Sequence, residues 1–254
     1  MIKLDLPNIE YTKKEIADKG FVILKKVVPE EFIHSQKKKW CSNFSIKKVN
    51  KKFIRGNLYL GEKNFLSYSD IPAWCLYRNY EFLWNKNLDN NATFVHLSLH
   101  KYRNKIQDLD LNDGLNYNQK NFGIYISTSL YEANKGHLST HSDGHSEKPI
   151  IHYMLPYTFR KIDYEEGGLI CEDNNGNMHD MEDNLLPGDV IMFDGRKKHG
   201  VIKIKSSKKN HVGRLAAFSI PTFFIREFGL KTYIRSFDVF LKELANKLKI
   251  KKLQ

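Results

Sequence analysis

Residues 137–145 read HLSTHSDGH, and this short stretch decides how the rest of the chain is interpreted. His141 and Asp143 lie two residues apart, so on a β-strand both side chains would leave the same face. A third candidate ligand, His199, follows far downstream in the stretch FDGRKKHGV at 193–201. Two imidazoles and one carboxylate suit a mononuclear iron(II) ion whose other coordination positions stay open. The spacing therefore predicts a metal site formed by His141, Asp143 and His199.

Further motifs follow in a fixed order, namely GGL at 167–169, PGD at 187–189, a strand ending at Phe193, and GR at 213–214. Together with the HSD tripeptide they resemble the non-haem iron(II), 2-oxoglutarate-dependent oxygenases, with the phytanoyl-type and prolyl-hydroxylase-like branches nearest. The match runs from about Tyr125 to Phe224. The resemblance implies a mainly β fold with flanking helices around a double-stranded β-helix, the jelly-roll or cupin-like core. It also implies Fe(II) as the metal, 2-oxoglutarate as co-substrate, and O2.

Three more residues are candidates for the co-substrate pocket. Arg214 lies in the apolar stretch RLAAFSI, where a buried guanidinium is costly unless it meets an anion, so we expect it to bind the far carboxylate of 2-oxoglutarate. The family often places serine or threonine two residues later, where this chain has Ala216. Tyr131 lies ten residues before His141, where the prolyl-hydroxylase-like branch carries a co-substrate or substrate tyrosine; core packing is the alternative. His152 is interpreted as a satisfied core histidine or, alternatively, as a contact of co-substrate or substrate.

The resemblance implies hydroxylation of an unactivated C–H bond, with release of succinate and CO2. Because Asp143 is present, no coordination position is freed for chloride, so hydroxylation is expected ahead of desaturation or ring closure. We expect a small-molecule substrate that is amino acid-like or sugar-like. Two alternatives stay open: the same chemistry on a nucleic acid or a protein side chain, and a non-catalytic cupin-like module that binds another metal.

The charge of the chain is basic but uneven. The formal net charge is +12 and the isoelectric point is about 9.4. Such a balance can indicate nucleic acid, anionic lipid or an acidic substrate. However, lysine, asparagine and isoleucine are all abundant, as codon bias would produce, and residues 163–194 hold ten acidic side chains and no lysine or arginine. Because that acidic segment borders the predicted site, a small-molecule partner is expected ahead of a nucleic acid.

Localisation and membrane association are constrained by simple counts. The three cysteines form no CxxC pair, which suits a reducing, cytoplasmic environment. The stretch MIKLDLPNIEYTKKE has no apolar core of a secretory signal, and no window reaches the roughly 18 apolar residues of a membrane span. The mean hydropathy of −0.52 likewise predicts a soluble protein.

The chain is long enough for one domain over 1–254, which we divide into three segments. Residues 1–92 are predicted to be a helical and mixed support, 93–225 the β-helix core, and 226–254 an amphipathic helix. In the support, Thr12 and Glu15 read as a capping box and Gly20 as a helix end. In the core, β-branched and aromatic runs predict strands, beginning with TFVHLSLHKYR at 93–103.

Overall fold

The computed structural model describes residues 2–46, 65–82, 89–115, 123–143 and 150–222. The helices of this part of the chain are α1 (Ile9–Lys19), α2 (Glu30–Ile46) and α3 (Asn90–Ile106). The strands are β1 (Phe21–Leu24), β2 (Phe65–Ile71), β3 (Trp74–Phe82), β4 (Gly123–Glu132), β5 (His137–His141), β6 (Ile151–Pro156), β7 (Glu166–Glu172), β8 (Met178–Asp180), β9 (Val190–Asp194), β10 (His199–Lys205) and β11 (Gly213–Thr222).

The first helix begins earlier than the capping-box prediction. Asn8 is the N-cap residue, and its side chain accepts a hydrogen bond from the backbone N–H of Glu10 at 2.8 Å. Thr12, the predicted cap, is instead buried and shares a 2.6 Å hydrogen bond with the Tyr102 hydroxyl. Gly20 ends the helix as predicted, in the left-handed conformation with φ of 87°. Strand β1 follows at once.

The predicted strand at 93–103 is wrong, because this segment lies inside helix α3. Asp89 caps the helix by accepting from the N–H of Ala92 at 2.7 Å. The buried positions of α3 recur at helical spacing, at Ala92, Val95, His96, Leu99, Tyr102, Arg103 and Ile106, among others. The burial of this face overrides the β-propensity of its β-branched and aromatic residues.

The strands form one antiparallel sheet with the order β1-β9-β6-β11-β4-β3-β5-β10-β7-β8, and β2 pairs with β3. After residue 120 the sequence predicts strands in the runs FGIYISTSLY, PIIHYMLPY, GGLICED, DVIMFD, GVIKIK and GRLAAFSIPTFFI, and these are present as β4, β6, β7, β9, β10 and β11. The predicted fold class, a mainly β protein with flanking helices, is therefore confirmed. Strands β1, β2 and β3 come from the 1–92 segment, so this segment supplies part of the sheet as well as helices.

The sheet curls so that its two ends face each other. Three strands separate β6 from β5 in the strand order, which in a flat sheet means roughly 19 Å. Nevertheless His152 on β6 lies 2.6 Å from Asp143, just after β5. The rings of Phe193 on β9 and His199 on β10 are likewise 5.0 Å apart. The curl therefore creates an interior between the β9–β6–β11 side and the β5–β10–β7 side, as in a jelly roll.

Helices α1 and α3 pack outside this sheet, where Tyr153 of β6 contacts His96 of α3. No helix in the described ranges combines the length and the apolar character that crossing a bilayer would need. The helix predicted at 226–254 lies outside the described residues, and the division into three segments stays a prediction.

Candidate metal centre

The structure brings the three predicted ligands together. His141 ends β5 and is the register partner of His199 at the start of β10. Asp143 follows β5, and its backbone N–H donates to the carbonyl of Gly195 at 2.8 Å. One ligand atom from each of His141, Asp143 and His199 lies within 4.8 Å of the others, so the group could hold a metal ion. Two nitrogens and one carboxylate oxygen match the donor set that iron(II) accepts.

Backbone carbonyls orient the rings of both candidate histidine ligands. The Nδ1 of His141 lies 2.9 Å from the carbonyl of Ser139, and the Nδ1 of His199 lies 3.0 Å from that of Lys197. A carbonyl can only accept, so each Nδ1 carries a hydrogen, and it is the neutral form of each ring that presents a lone pair at Nε2. This is the outer hydrogen bonding that orients imidazole ligands towards a cation.

Asp143 is held by a third histidine, His152. The Nε2 of His152 lies 2.6 Å from Oδ2 of Asp143, and its Nδ1 lies 3.0 Å from the carbonyl of Ser219. Both ring nitrogens therefore face oxygen acceptors, and the buried ring is held in one orientation. Gly195 makes this possible, because a Cβ there would overlap the His152 ring. Sequence reasoning left His152 between core and substrate contact, and the structure places it behind the carboxylate ligand.

The surrounding histidines control the charge of Asp143. Burial alone would raise the pKa of Asp143, but hydrogen bonds from His141, His152 and His199 lower it well below its ordinary value. The carboxylate is therefore ionised across the physiological range. A permanently negative oxygen beside two orientated imidazoles attracts a divalent cation.

His141 holds its proton more firmly than a free histidine in the metal-free fold. Burial opposes protonation, but hydrogen bonds to Asp143 and to the Ser139 carbonyl, and the charge of Asp143, raise its pKa above the ordinary 6.5. The positive charge of Arg78 acts against this rise. The guanidinium of Arg78 is therefore close enough to influence the metal ligands.

Among the described residues, the site is exposed on the side of His141 and Asp143. The side chains of His141 and Asp143 are 39% and 31% exposed, whereas that of His199 is 4% exposed. Behind His199 the interior is closed by aromatic rings, since Phe193 lies 5.0 Å from His199 and Phe218 stacks on His152 at 5.0 Å. Solvent and substrate can therefore reach the three ligands from the His141 side.

Arg214 and Tyr131 face the interior as a cross-strand pair. They are register partners on β11 and β4, and the guanidinium carbon lies 5.5 Å from the centre of the Tyr131 ring. Both residues are buried. The next inward position on β11 is Ala216, and its register partner on β4 is Ser129. The hydroxyl that is absent at residue 216 is therefore present one strand away, where sequence reasoning did not look.

The distance from the metal ligands to Arg214 follows from strand β6. His152 and Met154 both point inwards, and two residues of a strand span roughly 6.5 Å. Nη2 of Arg214 contacts the sulfur of Met154 at 2.6 Å. The guanidinium therefore lies beside Met154, the inward position next to His152 on β6, and a spacing of roughly 6.5 Å is comparable to the length of a five-carbon dicarboxylate.

Arg214 already has an anionic partner in the protein. Its Nε donates to Oε1 of Glu182 at 2.6 Å, and the two side chains are 3% and 1% exposed. The Tyr164 hydroxyl donates to Oε2 of the same carboxylate at 2.7 Å. Burial opposes the charge of Arg214, yet Glu182 raises the pKa of Arg214 above its ordinary value. Sequence reasoning missed Glu182, although its position in the acidic segment 163–194 was a signal.

The sequence also offers Arg78, Arg103, Arg160 and Arg196 as candidates to meet an anionic group of a substrate, and three of these four are engaged elsewhere. Arg160 pairs with Asp180 at 2.7 Å, and Arg196 pairs with Asp194 at 2.6 Å. Arg103 is buried in helix α3 beside Asn104. Of the four, Arg78 lies on the interior face, as register partner of Ser129. His145, a further histidine near the motif, lies outside the described residues.

The fold is shared with solved structures of oxygenases. A Pseudomonas putida prolyl-4-hydroxylase superposes with a TM-score of 0.56 at 13% identity, covering 84% of this chain and 98% of that one. A Trichoplax adhaerens prolyl hydroxylase, solved with a peptide fragment of hypoxia inducible factor, gives 0.50 at 12% identity, covering 86% and 90%. The non-haem α-ketoglutarate-dependent carbocyclase SnoK from nogalamycin biosynthesis gives 0.51 at 10% identity, covering 85% and 84%.

By sequence, no protein-family model matches the chain, and no curated protein matches it. At identities this low the structural likenesses establish the fold. The chain therefore has the jelly-roll fold of the iron- and 2-oxoglutarate-dependent oxygenases, and the resemblance seen in its motifs is confirmed at that level.

Proposed function

We propose that the protein is an Fe(II)/2-oxoglutarate-dependent dioxygenase that hydroxylates an unactivated C–H bond of a small molecule, releasing succinate and CO2. The observation that carries the proposal is the convergence of His141, Asp143 and His199, distant in sequence, to within 4.8 Å at the open side of an oxygenase-like jelly roll. Two imidazole nitrogens and one carboxylate leave coordination positions free for further ligands. The amino acid-like or sugar-like character of the substrate belongs to the same proposal.

The residues around the ligands support this role through orientation and charge. His141 and His199 present Nε2 because their Nδ1 hydrogens are bound by backbone carbonyls. His152 fixes the carboxylate of Asp143 by holding one of its oxygens. When bound, the iron with 2-oxoglutarate and O2 supplies the oxidation, and the protein supplies position and the exclusion of water.

The interior beyond the ligands suits a 2-oxo dicarboxylic acid. Arg214 lies beside Met154, the inward position next to His152 on β6, so it could bind a distal carboxylate while the 2-oxo acid end lies at the metal. Tyr131 and Ser129 offer hydroxyl groups on the same face. Among the described residues the hydrogen bonds of Arg214 use Nε and Nη2, so donors at its Nη1 end are available to a ligand.

Two measurements test the proposal. Anaerobic calorimetry with Fe(II) is expected to show one bound ion, and 2-oxoglutarate is expected to bind only to the metal-loaded protein. In air, the loaded protein is expected to consume O2 and form succinate, with faster turnover when a substrate from a metabolite panel is added. Binding of zinc with no interaction with 2-oxoglutarate would favour the non-catalytic, cupin-like alternative instead.

A peptide substrate is the second candidate. It is favoured by the structural neighbour that was solved with a peptide fragment and by the basic charge of the chain. Arg78, on the interior face near His141, would then meet an acidic group of the peptide. A panel of acidic peptides screened by succinate release separates this candidate from a metabolite hydroxylase. A salt-dependent shift of labelled oligonucleotide would instead indicate nucleic acid.

A further inference from the structure

The carboxylate of Glu182 is fully engaged by donors of the protein. Oε1 accepts from Nε of Arg214 at 2.6 Å and from the backbone N–H of Leu169 at 3.0 Å, while Oε2 accepts from the Tyr164 hydroxyl at 2.7 Å. The arginine is thereby neutralised before any ligand arrives. An arginine that bound only an external carboxylate would need no such internal partner.

A glycine of β7 leaves the space that the Glu182 side chain occupies. Gly168 on β7 has φ of 128°, which side-chain-bearing residues rarely adopt, and a Cβ there would overlap Cγ of Glu182. Glu182 lies in the loop after β8, at the far end of the sheet from β11, so its contact with Arg214 spans the interior. The Glu182 side chain therefore lines the same interior as the candidate metal ligands.

We propose that Glu182 determines co-substrate specificity: it shares Arg214 with the incoming 2-oxo acid and weakens binding of a distal carboxylate. The inference rests on the proposed function, because it concerns the same pocket. A second carboxylate at the Nη1 end of Arg214 would lie roughly 6 Å from that of Glu182, since each carboxylate is one N–H···O hydrogen bond from the same guanidinium. At the effective dielectric of buried sites, this repulsion weakens binding roughly ten- to a hundredfold. A neutral chain end at the same place escapes this repulsion.

The substitution Glu182→Gln removes the charge and keeps the hydrogen bonds. The amide oxygen replaces Oε1 as acceptor for Arg214 and Leu169, and the amide nitrogen faces the Tyr164 hydroxyl, which can accept. The matched control is Glu166→Gln, which removes the same charge from an exposed residue of β7 paired with Lys205. Two ligands complete the comparison: 2-oxoglutarate, and 2-oxopentanoate, which has the same carbon chain and ends in a methyl group.

The experiment is calorimetric titration of both ligands into protein loaded with Mn(II), which avoids turnover. Glu182→Gln is expected to bind 2-oxoglutarate roughly ten- to a hundredfold more tightly than wild type, with 2-oxopentanoate changed less than about twofold. Glu166→Gln is expected to leave both affinities unchanged. Because tighter binding stabilises the folded protein more, 2-oxoglutarate should raise the melting temperature of Glu182→Gln by more than it raises that of wild type.

Three results would overturn the inference, and they differ in what else they remove. Equal 2-oxoglutarate affinity in wild type and Glu182→Gln would remove the inference and leave the proposed function standing. Equal tightening of both ligands would place the effect at the metal rather than at Arg214. If manganese binds but neither protein binds 2-oxoglutarate at millimolar concentration, the proposed function fails together with the inference.

Discussion

Two carboxylates in the interior are treated in opposite ways. Asp143 is held by His152 at 2.6 Å, lies 3.5 Å from His141 and His199, and is 31% exposed. Glu182 is 1% exposed, and hydrogen-bond donors of the protein occupy both its oxygens. The first arrangement attracts an external cation, and the second supplies a counter-ion to an internal one. Burial and donor supply, not residue type, therefore decide which carboxylate is available to a ligand.

The largest expected effect breaks the buried pair. Arg214→Met leaves the Glu182 carboxylate buried without its cation, so we expect the free energy of unfolding to fall by about 3–5 kcal/mol. Chemical denaturation of wild type and variant measures this difference in the free energy of unfolding. Lys205→Met is the control, since Lys205 and Glu166 have the same 2.6 Å separation on the surface and should cost less than about 1 kcal/mol. Equal costs for the two variants would contradict the distinction between buried and exposed pairs.

The second prediction removes one residue from the open cluster, which consists of His141, Asp143 and His199. His199→Ala is expected to weaken Mn(II) binding by more than about a hundredfold, beyond what the loss of an outer hydrogen-bond partner costs. Calorimetry of the purified variant measures the change. His34→Ala, an exposed histidine on α2, provides the control and should bind metal as wild type does. Unchanged metal affinity in His199→Ala would remove the proposed centre.

The third prediction tests how Asp143 is held. His152→Leu removes the hydrogen bond to the Asp143 carboxylate, and we expect metal affinity to fall by about ten- to a hundredfold. His96→Leu is the matched control, because His96 is also buried and hydrogen-bonded but lies in α3, against Tyr153. Both variants should lose stability, and only His152→Leu should lose metal affinity. A similar loss in both would indicate a general packing effect.

The smallest expected effect, counted per pH unit, is the pH dependence of metal binding by the open cluster. A cation must displace the His141 proton, whose pKa is raised, so apparent Mn(II) affinity should fall as the pH drops through that raised value. The slope should approach tenfold per pH unit for one proton, measured between about pH 6 and about pH 8.5. The stability of the metal-free protein depends on pH in the opposite direction. The contribution of protonated His141 to stability is present below its unfolded pKa and is lost as the pH rises. Comparison with His141→Gln isolates both contributions.

The sequence predicted the strands of the core well and one helix badly. Strands β6 and β9, buried on both faces, are short and mostly apolar runs, and local pattern was enough to find them. Helix α3 has similar residue types, and the strand prediction at 93–103 weighed them above the spacing of its apolar positions. Helical periodicity and the Asp89 cap were the signals that would have corrected it.

The identities of the candidate metal ligands were available from the chain alone, because a metal selects residue types and the HxD spacing can be read without knowledge of the fold. The need of Arg214 for an anion was also foreseeable, since burying a guanidinium without one is costly. Which anion answers that need was decided only by the tertiary structure. The contacts from Glu182 to Arg214 and from His152 to Asp143 join segments that meet because the sheet curls, and strand order and register across that curl are not encoded in local pattern.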